Sequence, residues 1–569
     1  MKFRFGPCVR ADGTTFRLWA PAAREVLLQV EGLPDIRMTA RDNGWHEAEA
    51  PGGAGARYRF HVGGSAVPDP ASRMQADDVH GASVVTDPHA YEWQCTGWKG
   101  LPWEEAVLYE LHPGLLGGFV GVQKHLTRLA ELGITAVELM PIADFPGERN
   151  WGYDGALPFA PDRAYGTPDE LKALIDAAHG RGMMVFLDVV YNHFGPDGNY
   201  LGLYAPQFFD ESKHTPWGAA INFAEPEVRR FFIENALYWL TEFRFDGLRF
   251  DAVHAIPDKS FLGELAHEIR ATFPSERHVH LVVENDDNDS SLLRAGFDAQ
   301  WDDDFHHVLH VLLTDETKGY YEDYKDEPAG KLARALSDGF VYQGDPSPFR
   351  GGAPRGSRTE GLKPTAFVSF LQNHDQIGNR AFGERLLVLT NPEKLKAAIA
   401  LQLLAPQIPL IFMGEEVGAC ERFLYFTDYS DPKLAQAVRD GRRQEFAKFP
   451  EFADQKKRAQ IPDPNAPETF DQCRLRFADN SWRTLYSRLL RLRRERLFSR
   501  LKGIVSEGAE AIGPKAARAT WRFGDGARLV IACNLGDESI TTQLPEATPI
   551  WGETPDGTLP PATTLVWIE

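Results

Sequence analysis

The chain has 569 residues, 43% of them hydrophobic, a formal net charge of −20 and five cysteines. Its length predicts two to four domains around a large core, and its charge argues against nucleic acid or an anionic membrane surface as a partner. No apolar run reaches the ~18 residues of a membrane span, the opening MKFRFGPCVRADG lacks an apolar signal core, and the scattered cysteines fit neither a metal spacing nor a disulfide framework, so a cytoplasmic protein with no membrane partner is expected.

Residues 1–96 read as short strands, at 15–20, 25–30 and 56–62, punctuated by Gly, Pro and Asp. That pattern predicts an N-terminal β-sandwich, followed by a loop-like stretch over 68–102. From residue 104 the rhythm changes to strand and helix in alternation. Strands are expected at 106–112, 134–141, 183–190, from 246 onward, and at 281–284, 297–301, 365–371 and 409–413. Helices are expected at 122–132, 168–179, 225–243, 259–271 and 393–404, with a closing helix at 481–497. Thr167 followed three residues later by Glu170 is a capping box. Eight such units predict an α/β fold, a (β/α)₈ barrel over 97–501. Insertions are placed at 194–224, 314–363 and 418–480, and the sixth strand is the most polar. Short strands return over 502–569 as a small C-terminal β domain.

In such a barrel chemistry lies at the C-terminal strand ends. There the sequence puts Asp188, Asn192 and His193, then Arg249, Asp251 and His254, then Glu284 and Asp286, Asp302 and Asp303, His374 and Asp375, and Glu415. A lone acidic residue after a strand is usually a helix cap; repetition at so many strand ends exceeds what capping needs. Cleaving a glycosidic bond takes one carboxylate to attack or position water and one carboxylic acid to protonate the leaving oxygen. Asp251 and Glu284 belong to strands whose axes should lie ~4.8 Å apart, close to the ~5–5.5 Å carboxyl separation of retaining enzymes. Arg249, two residues before Asp251, faces the same side and should keep it ionised. Glu284 follows three apolar residues, and a dry pocket would raise its pKa. Asp375 would be a third carboxylate, favouring an oxocarbenium-like transition state.

DVVYNH at 188–193, GLRFD at 247–251, the strand ending at Glu284, and NHD at 373–375 resemble the four signature regions of the alpha-amylase family. The resemblance implies a retaining enzyme acting on α-glucosidic bonds, with Asp251 as nucleophile, Glu284 as acid/base and Asp375 as transition-state stabiliser. It also implies that His193, Arg249 and His374 contact the sugar being cleaved and that Tyr153 stacks on it. A narrower resemblance, carried by ELMPIADFPGERNWGYDG at 138–155, WDDDFHH at 301–307, FMGEE at 412–416 and LYFTDY at 424–429, is to the maltooligosyltrehalose trehalohydrolase family. Its members cut the α-1,4 bond beside a terminal trehalose. This implies sugar binding by Asp303 and His306 and a functional pairing with a maltooligosyl trehalose-forming enzyme. Asp154, Asp188, His254, Asp286, Gln376 and Asn379 complete the expected substrate-binding set.

Glucan branching enzymes share the N-terminal sandwich and a related second-strand motif, so transfer to a sugar hydroxyl is the alternative. A catalytically silent glucan-binding scaffold is a third reading, disfavoured because all three carboxylates are present. The short loop at 113–118 departs from the longer one usual in the family. His306 and His310 have metal-ligand spacing but read as helix surface. Asn192 matches a calcium position of many amylases, yet the insertion after it offers few oxygen ligands, so neither metal nor cofactor is expected. Trp217 is either a sugar platform or core of its insertion. Glu415 either caps the helix after the eighth strand or binds the trehalose-side glucose, the two not being exclusive.

Overall fold

A computed structural model of the protein describes residues 3–215, 218–449, 452–553 and 557–569. Eight parallel strands close into a barrel: β1 (Leu108–Leu111), β2 (Ala136–Leu139), β3 (Met184–Val189), β4 (Gly247–Phe250), β5 (His280–Val283), β6 (Ala299–Trp301), β7 (Phe367–Ser369) and β8 (Ile408–Phe412). β8 pairs back to β1, with Leu108 opposite Leu410. Alternate residues face inward, and Leu108, Ala136, Met184, Phe186, Val282, Ala299, Trp301, Val368, Phe370, Ile408 and Leu410 fill the interior as one apolar cluster. Gly247 belongs to this interior because a Cβ there would sit 2.2 Å from the Phe186 ring.

The outward-facing residues pack on helices α1 (Gly118–Leu132), α2 (Pro168–His179), α3 (Pro226–Glu242), α4 (Lys259–Thr272), α5 (Asp303–Thr314), α6 (Pro392–Leu404) and α7 (Ser481–Arg496). α2 begins with the expected capping box. α1 starts four residues earlier than its apolar spacing predicts. The short loop before it turns through a 3₁₀ segment (Gly114–Leu116), and Gly118, at φ +74°, runs so close to the Tyr165 carbonyl that a Cβ would be 2.3 Å from it. β6 is polar for a physical reason. Gln300, fully buried, donates from Nε2 to the Asn285 carbonyl (3.0 Å) and to Asn288 Oδ1 (3.1 Å), tying the strand to the segment after β5.

Asp246 lies at the opposite, N-terminal end of the barrel. Its carboxylate is fully buried and accepts from Trp98 Nε1 (2.7 Å), Arg277 (2.6 Å) and the Val185 amide (2.9 Å), with His179 Nε2 at 2.9 Å. This carboxylate anchors the strand and has no access to the catalytic end.

Ahead of the barrel stand two antiparallel sheets. One orders Cys8–Arg10, Gly13–Trp19, Trp45–Ala50 and Thr39–Ala40; the other is built on Val26–Val30 and Arg57–Val62. Phe16 of the first meets Tyr58 of the second, ring centroids 4.7 Å apart. A four-stranded antiparallel sheet, Val505–Gly513, Ala516–Arg522, Arg528–Asn534 and Thr563–Ile568, follows the barrel. It packs on α6 and on the helix Pro328–Asp338.

Candidate active site

Asp251 and Glu284 leave the barrel at the same height. Phe250 pairs with Val283 as the last rung of β4 and β5, and the Glu284 amide still donates to the Phe250 carbonyl (3.0 Å). Neighbouring strands are ~4.8 Å apart. Arg249, on the same side as Asp251, has no solvent exposure. Its Nη1 donates to Asp251 Oδ1 (2.6 Å) and to both oxygens of Asp188 (2.8 and 3.0 Å), and its Nη2 lies 3.8 Å from Glu284 Oε2. The guanidinium also sits 4.2 Å over the Trp301 ring. One cation thus gathers three carboxyl groups.

The two carboxyls are driven in opposite directions. Burial works to raise Asp251, but Arg249, His193 and the Asn192 amide (2.8 Å) outweigh it and hold the group below the ordinary range. At Glu284 burial again raises the pKa, and here it prevails over His254 and Arg249, with Asp251 and Asp375 pushing the same way. A neighbouring pair split like this can divide the tasks of acid and anion. Ala252, between them in the chain, is a non-glycine residue at φ 40°, ψ 48°. That sparsely populated conformation aims its amide at Glu284 Oε2 (2.6 Å).

Asp375 enters from β7. It opens the short helix His374–Gly378, capped by Asn373, whose Oδ1 accepts from the Asp375 amide (2.9 Å). The Asp375 side chain is 42% exposed, facing the opening. Beside it, His374 places Nδ1 against Glu110 Oε1 and Nε2 3.5 Å from Asp375 Oδ1 and 2.8 Å from the Tyr153 hydroxyl. Burial lowers its pKa, Asp375 and Glu110 raise it more, and His374 is pushed up to about 9. The Tyr153 ring stacks on His374 at 5.1 Å, and its hydroxyl donates to Asp188 (2.7 Å). Asp303 joins the hollow from the start of α5, bonded to Gln376 Nε2 (3.3 Å) and pushed strongly up by burial and by Glu284. Asn379 reaches Asp375 (3.4 Å). His254 accepts from the Asp286 amide and lies 4.0 Å from Glu284.

Several residues expected to contact sugar have their polar atoms engaged by the protein itself. His306 is fully buried, with Nδ1 at the Leu371 carbonyl (2.6 Å) and Nε2 at the Tyr321 hydroxyl (3.0 Å), and no face is left for a sugar. His310 is likewise engaged, by Glu316 (2.7 Å). Glu415 turns away from the opening. It accepts from the Phe412 amide (2.9 Å) and from Tyr486 of α7 (3.1 Å), and burial pushes it up to about 8. Asp188 is buried under Arg249 and Tyr153, bonded to both, and is pushed up to about 7 by burial. Asp154 is buried and bonded to Asn150 (2.7 Å). His193 is buried between the Tyr153 carbonyl (2.8 Å) and Asn192. Asp286 is exposed and ion-paired to Arg350 (2.6 Å) and Arg355 (3.2 Å). Trp217 lies outside the described residues.

Other residues emerge from the structure alone. Asn192, weighed above as a calcium ligand, spends its amide on Asp251. Glu110 supports His374; its strand-end position on β1 was the signal available in the sequence. Asp304 accepts from the Val341 amide (2.6 Å), Tyr342 amide (3.1 Å), Asn288 (2.9 Å), Arg355 (3.0 Å) and Tyr324, and so pins the insertion over 314–363 to the barrel. Among the described residues no group of three or more His, Cys, Asp or Glu side chains is arranged to hold a metal ion.

The family described as alpha amylase, catalytic domain, matches residues 81–214, and a domain of unknown function, DUF3459, matches residues 506–567. A malto-oligosyltrehalose trehalohydrolase from Saccharolobus solfataricus is 41% identical over 514 residues, 86% of this chain and 87% of the relative. One from Deinococcus radiodurans is 42% identical over 503 residues, 86% and 82% of the two chains. A 1,4-alpha-glucan branching enzyme from a Jannaschia species is 34% identical over 284 residues, 44% of this chain and 40% of that one. Among solved structures, a Salmonella typhimurium protein provisionally assigned as an alpha amylase superposes with a TM-score of 0.94 at 42% identity, covering all of both chains. A pullulanase from Paenibacillus barengoltzii, at TM-score 0.72 and 19% identity over 99% and 94% of the chains, shares the fold.

Proposed function

The chain belongs to the malto-oligosyltrehalose trehalohydrolases of the alpha-amylase family and is a glycoside hydrolase, and from that premise we propose that it releases trehalose from maltooligosyl trehalose by a double displacement at Asp251. Asp251, held anionic by Arg249 and Asn192, attacks the anomeric carbon on the maltooligosyl side. Glu284, held protonated by burial, gives its proton to the glycosidic oxygen, and trehalose departs. The Glu284 carboxylate then takes a proton from water, which opens the glycosyl-enzyme with net retention. Asp375 and the His374 imidazolium stabilise the oxocarbenium-like transition state and hold the sugar hydroxyls. Tyr153, Asp303, His254, Gln376 and Asn379 line the same hollow.

The observation that carries this reading is the Arg249 bridge, which brings together two carboxyls whose surroundings push them apart in acidity. A branching enzyme would pass the same intermediate to a sugar hydroxyl; the branching enzyme from a Jannaschia species matches 44% of this chain. Incubation with maltooligosyl trehalose and, separately, with amylose separates the two. Free trehalose from the first and no new α-1,6 branch points in the second are expected, and branch points without trehalose would overturn the assignment.

The same reading divides the chain at 96/97 and 501/502, pairs the protein functionally with an enzyme that forms maltooligosyl trehalose, and places it in the cytoplasm. The cysteines support the last point, all five being unpaired. No helix among the described residues is long and apolar enough to cross a membrane.

A further inference from the structure

Beneath the rim lies a carboxyl group that the mechanism above does not use. Glu138 of β2 is the register partner of Glu110 of β1. On adjacent parallel strands such partners leave the same face with backbones ~4.8 Å apart, here the inner face of the barrel. Glu138 is 1% exposed, and neither of its carboxyl oxygens has a hydrogen-bond partner among the described residues. Glu110 is equally buried, but both its oxygens serve His374, one at Nδ1 and one at the amide (3.2 Å).

The charged groups facing Glu138 are Glu110 from β1, Asp188 from β3, Arg249 from β4 and His374 from the turn after β7. Both cations are already engaged. Arg249 Nη1 serves Asp188 and Asp251, and His374 lies between Glu110 and Asp375. A further anion would stand in a dry interior beside two carboxylates with no cation of its own. Two carboxyls so placed do not both ionise, and the proton belongs to the pair.

We propose that Glu110 and Glu138 form a dyad holding one proton, Glu110 ionised against His374 and Glu138 carrying the proton, and that Glu138 is thereby a positioning residue for the His374 imidazolium beside Asp375. Neutral Glu138 leaves Glu110 as the anion bonded to His374 on its inner side. Its Nδ1–H then stays directed inward and its Nε2–H toward Tyr153 and Asp375. An ionised Glu138 would instead draw Arg249 from Asp251 and His374 from Asp375. Burial, then Glu110 and Asp188, push Glu138 strongly up against the pull of Arg249 and His374, in keeping with a neutral acid. The positioning role rests on the reading of the reacting hollow given above; the dyad itself does not.

Infrared difference spectra between the wild-type enzyme and Glu138→Gln, with NMR titration of ¹⁵N-labelled histidine, test the proposal. The expected result is loss, in E138Q, of a protonated carboxylic-acid C=O band that the wild type keeps from about pH 5 to 8, the histidine range. The His374 titration should stay in place in E138Q and fall by more than about one pH unit in Glu110→Gln. kcat of E138Q should fall by about three- to tenfold with KM unchanged, because the amide has no proton to share with Glu110 and holds it less firmly against His374. Loss of a carboxylate band instead, or a fall of the His374 titration in E138Q, would overturn the dyad. An intact dyad signature with kcat of E138Q equal to that of the wild type would overturn the positioning role. Should E110Q fail to fold, the comparison of wild type with E138Q decides alone. Wild-type trehalose release, measured in parallel, tests the functional reading separately.

Discussion

Arg249 concentrates the chemistry of the site in one side chain. Its guanidinium bonds Asp251 and Asp188 through one nitrogen, brings the other within 3.8 Å of Glu284 and centres 4.2 Å over the Trp301 ring, a spread that a lysine ammonium cannot reproduce. Arg249→Lys is therefore expected to lower kcat by at least about 10²-fold, with folding, checked by circular dichroism, retained. Glu284→Gln removes the proton donor and leaves the hollow in place. Its kcat should fall by about 10²–10⁴-fold while calorimetry still records oligosaccharide binding; near-normal turnover would refute the role. The pH profile follows from the two shifts. Asp251, depressed, must be ionised, so activity is lost as pH falls through its folded pKa. Glu284, raised, must be protonated, so activity is lost as pH rises through its folded pKa. The alkaline limb should vanish from the residual activity of E284Q. Asp251 and Glu284 were legible in the sequence because strand ends and the two-residue spacing to Arg249 determine which way they face. The directions of His306, assigned to sugar through a resemblance, and of Glu415, at a strand end, were not legible, because neither signal says which way a side chain turns. His306 turns inward onto the Leu371 carbonyl and Glu415 outward onto Tyr486.

At the scale of elements, the strands and helices of the barrel were readable from periodicity, since each apolar stripe has one layer to bury against. The tethers between them were not, because they join residues far apart in the chain. Asp246 ties β4 to Trp98, Arg277 and His179. Burial alone would raise its pKa, but His179, Arg277 and the Val185 amide win and the group is depressed. Its stabilisation is thus full above the unfolded value of about 3.9 and is lost as pH falls through the lower folded value. Asp246→Asn, which strands Arg277 and His179, should cost about 3–5 kcal/mol in denaturant melts. Asp304 does for the insertion over 314–363 what Asp246 does for β4. Asp304→Ala leaves the Val341 and Tyr342 amides and Arg355 without their acceptor. Faster proteolytic cleavage within 314–363 is expected, since these contacts tie the insertion to the barrel. Unchanged cleavage would remove Asp304 from this role.

At the scale of the whole molecule, the outer sheets share one apolar cluster with the outer layer of the barrel, and specific polar contacts reinforce it. Arg73, buried, lies 4.2 Å over the Tyr238 ring of α3 and 4.6 Å over Phe159. Glu234 of α3 accepts from the amides of Arg4 (2.7 Å) and Phe5 (3.1 Å). Arg73→Ala should lower Tm by several degrees through the loss of about 2 kcal/mol of desolvated cation–π contact, with kcat little changed because the rim is remote. Strand and helix rhythm anticipated the β, β/α and β parts seen in the sheets, and the polar sixth strand became intelligible only once Gln300 was seen to bind the segment after β5. The central claim is that a maltooligosyl group passes through Asp251 with Glu284 as its acid and base. Proton NMR during the first turnovers on maltooligosyl trehalose tests this most directly. The account predicts free trehalose together with maltooligosaccharide released as its α-anomer, mutarotating afterwards; β-anomer as the first product would contradict it.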